Sequence, residues 1–134
     1  MATRLQVTID CARAEVLTRF WATALGYRVE DPPAGFETWT AHWRSVGVPD
    51  DELGPGDNAD SLVDPDGVGP RIWFQVVPES KVVKNRLHLD LDVGGGRATP
   101  LAARRERVLA EAQRLEAAGW VTLQDPEGNE FCLH

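Results

Sequence analysis

This 134-residue sequence predicts an α+β fold in a single domain, residues 1–134. Three observations predict it. Leu5-Gln6-Val7-Thr8-Ile9-Asp10 and Leu87-His88-Leu89-Asp90-Leu91-Asp92 alternate apolar with polar residues in the same phase, the sign of half-buried strands. Each leads into an amphipathic helical stripe closed by a glycine, Gly26 or Gly119. Each half then carries an Asp-Pro-x-Gly turn before its last strand: Asp64-Pro65-Asp66-Gly67 and Asp125-Pro126-Glu127-Gly128. Two copies of a strand–helix–strands unit, about 1–80 and about 81–134, are too few for a solenoid.

The elements follow in order. After the first strand, Val16, Leu17, Phe20, Trp21, Ala24 and Leu25 form one helical stripe, which places Trp21 in the core. Tyr27-Arg28-Val29 returns to strand. Residues 32–60 have no counterpart in the second half; within them Thr38 to Ser45 predicts a short helix, and Gly54-Pro55-Gly56-Asp57-Asn58 an exposed loop. Proline at i+1 and glycine at i+3 suit type I turns at both Asp-Pro-x-Gly sites. The strand Arg71 to Val77 follows the first turn. In the second half, Thr99 is the expected N-cap with Pro100 at the first helical position, and Leu101, Val108, Leu109, Ala112 and Leu115 make the stripe. Trp120-Val121-Thr122-Leu123 reads as a strand. Asn129 to His134 closes the chain as another, with Phe131 and Leu133 on one face and Glu130, Cys132 and His134 on the other.

Composition narrows the function classes. A hydrophobic fraction of 43% and five tryptophans indicate a packed protein, able to bury about two-thirds of its unfolded surface. A net charge of −7 without a Lys/Arg cluster argues against nucleic acid and anionic membrane. MATRLQVTID runs directly into a strand without an apolar stretch, so no signal peptide is expected, and the two cysteines form no disulfide framework. The expected compartment is the cytoplasm. Two motifs fail: Asp92 to Arg97 does not match a phosphate-binding glycine loop, and Asp57 to Gly67 lacks calcium-loop spacing.

The stretches IDCARAEVLTRFWATALGY (Ile9 to Tyr27), GPRIWFQVVPE (Gly69 to Glu79), KNRLHLDL (Lys84 to Leu91) and DPEGNEF resemble the vicinal oxygen chelate superfamily. The resemblance spans nearly the whole chain and is nearest to glyoxalase-like domain proteins related to glyoxalases and bleomycin-resistance proteins. It implies two βαβββ modules forming a curved mixed sheet around a cleft, often completed as a homodimer, and a small-molecule ligand. It implies either a lyase, isomerase or ring-cleaving reaction on a small oxygenated metabolite, or non-catalytic sequestration of a compound. Relatives carry a further strand between the second helix and the closing hairpin, so the second module is expected to lack an edge strand, about a dozen residues with its loop. The family's metal-ligand positions correspond here to Gln6, Gln75, His88 and Cys132, with a cysteine where the family usually has glutamate.

Those positions define the candidate residues. His88 is the first candidate for catalysis, as a ligand or polarising group, or else as a histidine bonded to a neighbouring carboxylate. Glu130 is the candidate proton-transfer group, or a solvated strand glutamate. Gln6 and Gln75 can orient a substrate by hydrogen bonds but carry no charge. Strand phase adds Asp90, Cys132 and Trp73 to the cleft face, and places Leu87, Leu89, Phe74 and Phe131 beneath the helices. Trp39 and Trp43, four apart on the insert helix, either wall a pocket or anchor the insert. His42 is expected at the surface, and His134, at the chain end, is expected to fray.

One imidazole, one thiol and two amides are a poor donor set for a divalent metal, so no metal is assigned at the four positions and a cofactor is left open. The expected outcome is a protein that purifies without stoichiometric metal and whose Tm is unmoved by EDTA. Elemental analysis with a chelator melt checks both.

Overall fold

The computed structural model describes residues 2–53, 59–119 and 124–134. The loop expected at Gly54 to Asn58 and the strand expected at Trp120 to Leu123 lie outside them. Among the described residues the fold is mixed α+β: β1 (Gln6–Cys11), α1 (Ala14–Leu25), β2 (Arg28–Val29), α2 (Trp39–Ser45), β3 (Ser61–Val63), β4 (Arg71–Val76), β5 (Leu89–Leu91), α3 (Leu101–Ala117) and β6 (Phe131–Leu133). The first six make a four-stranded sheet, in the order β1-β4-β3-β2, with two helices. In it β1 runs parallel to β4, and the other pairings are antiparallel. A small second sheet pairs β5 with β6, also parallel. In both halves, therefore, the strand before the long helix lies beside the last strand of that half.

The alternation read from the sequence decides the faces. Val7, Ile9 and Cys11 of β1, with Ile72 and Phe74 of β4, turn towards α1; Gln6, Thr8 and Asp10, with Arg71, Trp73 and Gln75, turn away. On α1 the stripe Leu17, Phe20, Trp21 and Ala24 is buried as expected, and Gly26 ends the helix at φ 69°, a conformation that costs a residue without a Cβ little. Phe131 of β6 reaches into this core, with its ring 5.7 Å from Phe20 and 5.3 Å from Trp21, both edge-on. The core thus joins the two halves.

The two Asp-Pro-x-Gly turns are alike in detail. In each, the glycine N–H donates to the aspartate carbonyl, at 3.0 Å for Gly67 and 2.9 Å for Gly128. The N–H two residues after each aspartate donates to its carboxylate, at 2.9 Å for Asp66 and 3.0 Å for Glu127. They differ in what else they hold. Asp125 is buried and also accepts from the Trp21 indole at 3.1 Å and from both nitrogens of Asn129. Glu127 accepts from the N–H groups of Ala12 and Arg13 at 2.7–2.9 Å, so a carboxylate from the far end of the chain caps α1, whose own N-cap residue makes no side-chain bond.

Several expectations are corrected. The α3 N-cap is Pro100, not Thr99, because the Thr99 hydroxyl donates to the Gly95 carbonyl instead. Of the α3 stripe only Leu115 is buried, and Leu101 and Leu109 face solvent; among the described residues only the β5–β6 pair is available beside 17 residues of helix. Leu87 is 91% exposed rather than packed, since β5 begins only at Leu89. His134 does not fray: its N–H donates to Leu91, and its carbonyl accepts from Val93 and Gly94. Thr38 does cap α2, accepting from the Ala41 N–H at 3.0 Å. Among the described residues no helix is long and apolar enough to cross a membrane.

Asp125→Ala leaves a buried indole N–H, two backbone N–H groups and an amide without their acceptor. At roughly 1–3 kcal/mol for an orphaned buried group, with partial rescue by water, a loss of about 2–4 kcal/mol is expected in urea unfolding. Asp125→Asn keeps one acceptor oxygen and should lose less.

Candidate functional site

The face of the four-stranded sheet away from α1 is organised around Arg71, which sequence reasoning passed over. Its Nε donates to Glu30 at 2.8 Å, its Nη1 to the Gln6 side-chain oxygen at 2.8 Å, and its Nη2 to the Ser61 hydroxyl at 2.7 Å. Glu30 and Arg71 form a half-buried ion pair at 2.7 Å. Alternation could have found Arg71, which shares its face with Trp73 and Gln75 at intervals of two.

Beside this network the insert folds over the sheet. Trp39, Trp43, Val48 and Leu53 face Trp73, Asp60 and Ser61 across a hollow of about 360 Å³. Trp39 and Trp43 stack with ring centres 5.6 Å apart and 22° between planes, and the Trp39 indole donates to the Glu30 carbonyl at 3.1 Å. The Trp73 indole donates to Asp60 at 3.0 Å. Asp60 also accepts from the Ser61 hydroxyl at 3.1 Å. His42, expected at the surface, instead lies among rings, 5.0 Å from Phe36 and 4.9 Å from Trp43, with its Nδ1 buried.

A second hollow, about 330 Å³, is lined by Thr8, Trp21, Asn85, His88, Asn129 and Glu130 among others. Val7, Ile9 and Leu89 also line it, so it lies at the β1 edge of the sheet. Glu130 is tied down: it accepts from the Asn85 N–H at 3.1 Å and from Lys81 at 3.2 Å. The Asn85 and Glu130 backbone N–H groups, with Lys81, hold its carboxyl below the usual range. His88 Nδ1 meets Asp90 at 3.1 Å, and Asp90 is the register partner of Cys132. Hydrogen bonds from His88 and Cys132 lower the Asp90 carboxyl, while packing around the sulfur and the Asp90 charge raise the Cys132 thiol.

The structure therefore brings His88, Asp90 and Cys132 together, sets Glu130 beside His88 in one hollow, and gathers Trp39, Trp43 and Trp73 in the other. It does not unite the four positions that the resemblance assigns to a metal. The Gln6 oxygen is bonded to a guanidinium, whose charge repels a dication. Gln75 makes no side-chain hydrogen bond among the described residues and pairs with Asp10. These four residues do not fit the family's metal.

The glyoxalase-like domain family matches residues 6–134. The chain belongs to that family. A search of curated proteins finds no match to it. Membership in the glyoxalase-like family accounts for the mixed fold and supports small-molecule binding.

The two cysteines should behave oppositely. Cys11 is buried, and burial with the nearby Glu127 and Asp10 charges pushes its thiol up to about 11. Cys132 is exposed. A disulfide reagent should modify one thiol per native chain, none in Cys132→Ser, at a rate still climbing as pH passes 9. Two reactive thiols in the native protein contradict this.

Proposed function

We propose that this domain binds a planar small molecule carrying positive charge in the hollow beneath the insert, holding it rather than transforming it. The observation that carries the reading is the convergence of Trp39, Trp43 and Trp73 beside the Asp60 carboxylate. Indole faces attract cations, and a flat ligand slotted between them gains stacking area. The charges have the same preference. Arg71 is balanced by Glu30, which leaves Asp60 and Glu52 at the hollow as the uncompensated groups. Asp60 keeps free lone pairs after accepting from Trp73 and Ser61. Sequestration needs only these groups.

A second reading is a lyase- or isomerase-type reaction in the hollow at the β1 edge, favoured by one observation: His88 and Glu130 both line it, with two asparagine side chains. Glu130 acts as a base there only after a substrate displaces Lys81, and its lowered pKa makes it a weak one. The halves are proposed to be related modules, supported by the matching turns and by parallel first and last strands in each. A homodimer is also proposed. It would cover Val82, Val83 and Leu87, large apolar side chains that are all exposed within six residues.

Titration of tryptophan fluorescence with N-methylquinolinium, against the uncharged quinoline at a pH where it is neutral, tests the main reading. The cation should bind more tightly, and Trp73→Ala should weaken it about tenfold or more. Asp60→Asn should weaken the cation about tenfold while leaving quinoline unchanged. Equal affinity for both compounds in the parent protein would sink the charge argument. Turnover that disappears in His88→Ala and Glu130→Gln would favour the second reading.

A further inference from the structure

A third hollow, of about 400 Å³, shares Arg71 with the one beneath the insert. Arg4, Glu30 and Asp64 supply its other charges, and Leu5, Val63 and Pro70 its apolar part. Three of the four charged groups are already answered. Arg71 is paired with Glu30. The Asp64 carboxylate accepts from the backbone N–H groups of Asp66, Val68 and Gly69 at 2.7–3.0 Å, which spreads its charge. Arg4 takes part in no ion pair or side-chain hydrogen bond among the described residues. Beneath the insert the balance is reversed, and the groups without a counter-charge are the Asp60 and Glu52 carboxylates. We propose that the ligand is a zwitterion, with a flat cationic ring among the indoles and a carboxylate on a short flexible arm that passes Arg71 to pair with Arg4; this rests on the cation reading of the hollow beneath the insert.

The polarity of the lining thus changes sign across one ion pair. That pair is neutral as a unit, so it repels neither end of a zwitterion that crosses it. It is also held in place. The Trp39 indole bonds the Glu30 carbonyl, Glu30 bonds Arg71, Arg71 donates to the Ser61 hydroxyl, and that hydroxyl donates to Asp60. One hydrogen-bonded chain therefore runs from the insert wall, through the partition, to the carboxylate that faces the ring. Groups fixed in this way need little further ordering when a ligand arrives. For the arm, Leu5 is 72% exposed at the third hollow and, with Val63 and Pro70, gives methylene groups an apolar surface to cover. An exposed guanidinium–carboxylate pair is worth only a few-fold in affinity. Arg4 therefore discriminates among cations already held by the indoles, and does not capture anions by itself.

Tryptophan fluorescence titrations of the full chain with N-(carboxyalkyl)quinolinium compounds test this, using arms of about two to five methylenes, each against the uncharged carboxamide of the same length. At one arm length or more the carboxylate should bind about three- to fivefold more tightly than its amide, and raised salt should shrink that margin. Arg4→Gln should bring the acid level with the amide. Because the two compounds are compared within one variant, any change in the fold cancels. Arg4→Lys should restore part of the margin. No margin at any arm length would overturn the proposal, and so would a margin that survives in Arg4→Gln. N-methylquinolinium separates the two readings. If that cation binds and the acid gains nothing over its amide, only the arm and Arg4 are wrong; if the cation does not bind, the cation reading fails and the zwitterion with it.

Discussion

The carboxylate of Asp125 is the constraint on which the rest of this structure hangs. It is buried, it accepts from four N–H groups, and one of those belongs to Trp21 on α1, more than a hundred residues away. Two residues on, Glu127 accepts from the N–H groups of Ala12 and Arg13, the two residues that lead into α1. Together they fix where the last strand leaves the turn, and hence which of its residues enter the core. Phe131 goes in against Phe20 and Trp21; strand alternation then obliges Cys132 to face outward beside Asp90. A slip of one residue would bury the thiol and expose the phenylalanine.

Much of this was legible in the sequence, because much of it is periodic. The faces of β1 and β4, the α1 stripe and its glycine stop, the capped insert helix and the two turns all follow from spacings of two, three or four residues. What spacing cannot show is a partner at long range. Asp125 and Glu127 read as turn residues, since nothing local says that one will meet an indole and the other a helix end. Arg71 was passed over for a similar reason: its partners Glu30, Ser61 and Gln6 come from three other segments. The α3 stripe misled in the opposite direction. An amphipathic pattern states which face a helix would bury, not whether the fold supplies a surface to receive it.

The same limit applies to the site. Gln6 is the first residue of β1 and His88 directly precedes β5, and their surroundings differ. Gln6 is committed to a guanidinium, and His88 to a carboxylate. A position inherited from a family fixes where a side chain starts. Its neighbours fix what it can hold.

That contrast divides the molecule chemically. On the four-stranded sheet, the Arg71–Glu30 pair is neutral as a unit and lies beside indoles and an aspartate, the surroundings on which the proposal of an organic cation rests. On the two-stranded sheet a carboxylate, a thiol and an imidazole lie within 4.8 Å of one another instead. The two faces therefore present different groups: indoles and an aspartate on one, a carboxylate, a thiol and an imidazole on the other. Arg71 helps keep them distinct. By occupying the Gln6 oxygen it bars a dication from the first half, and by pairing with Glu30 it does so without repelling the organic cation proposed for the adjoining hollow.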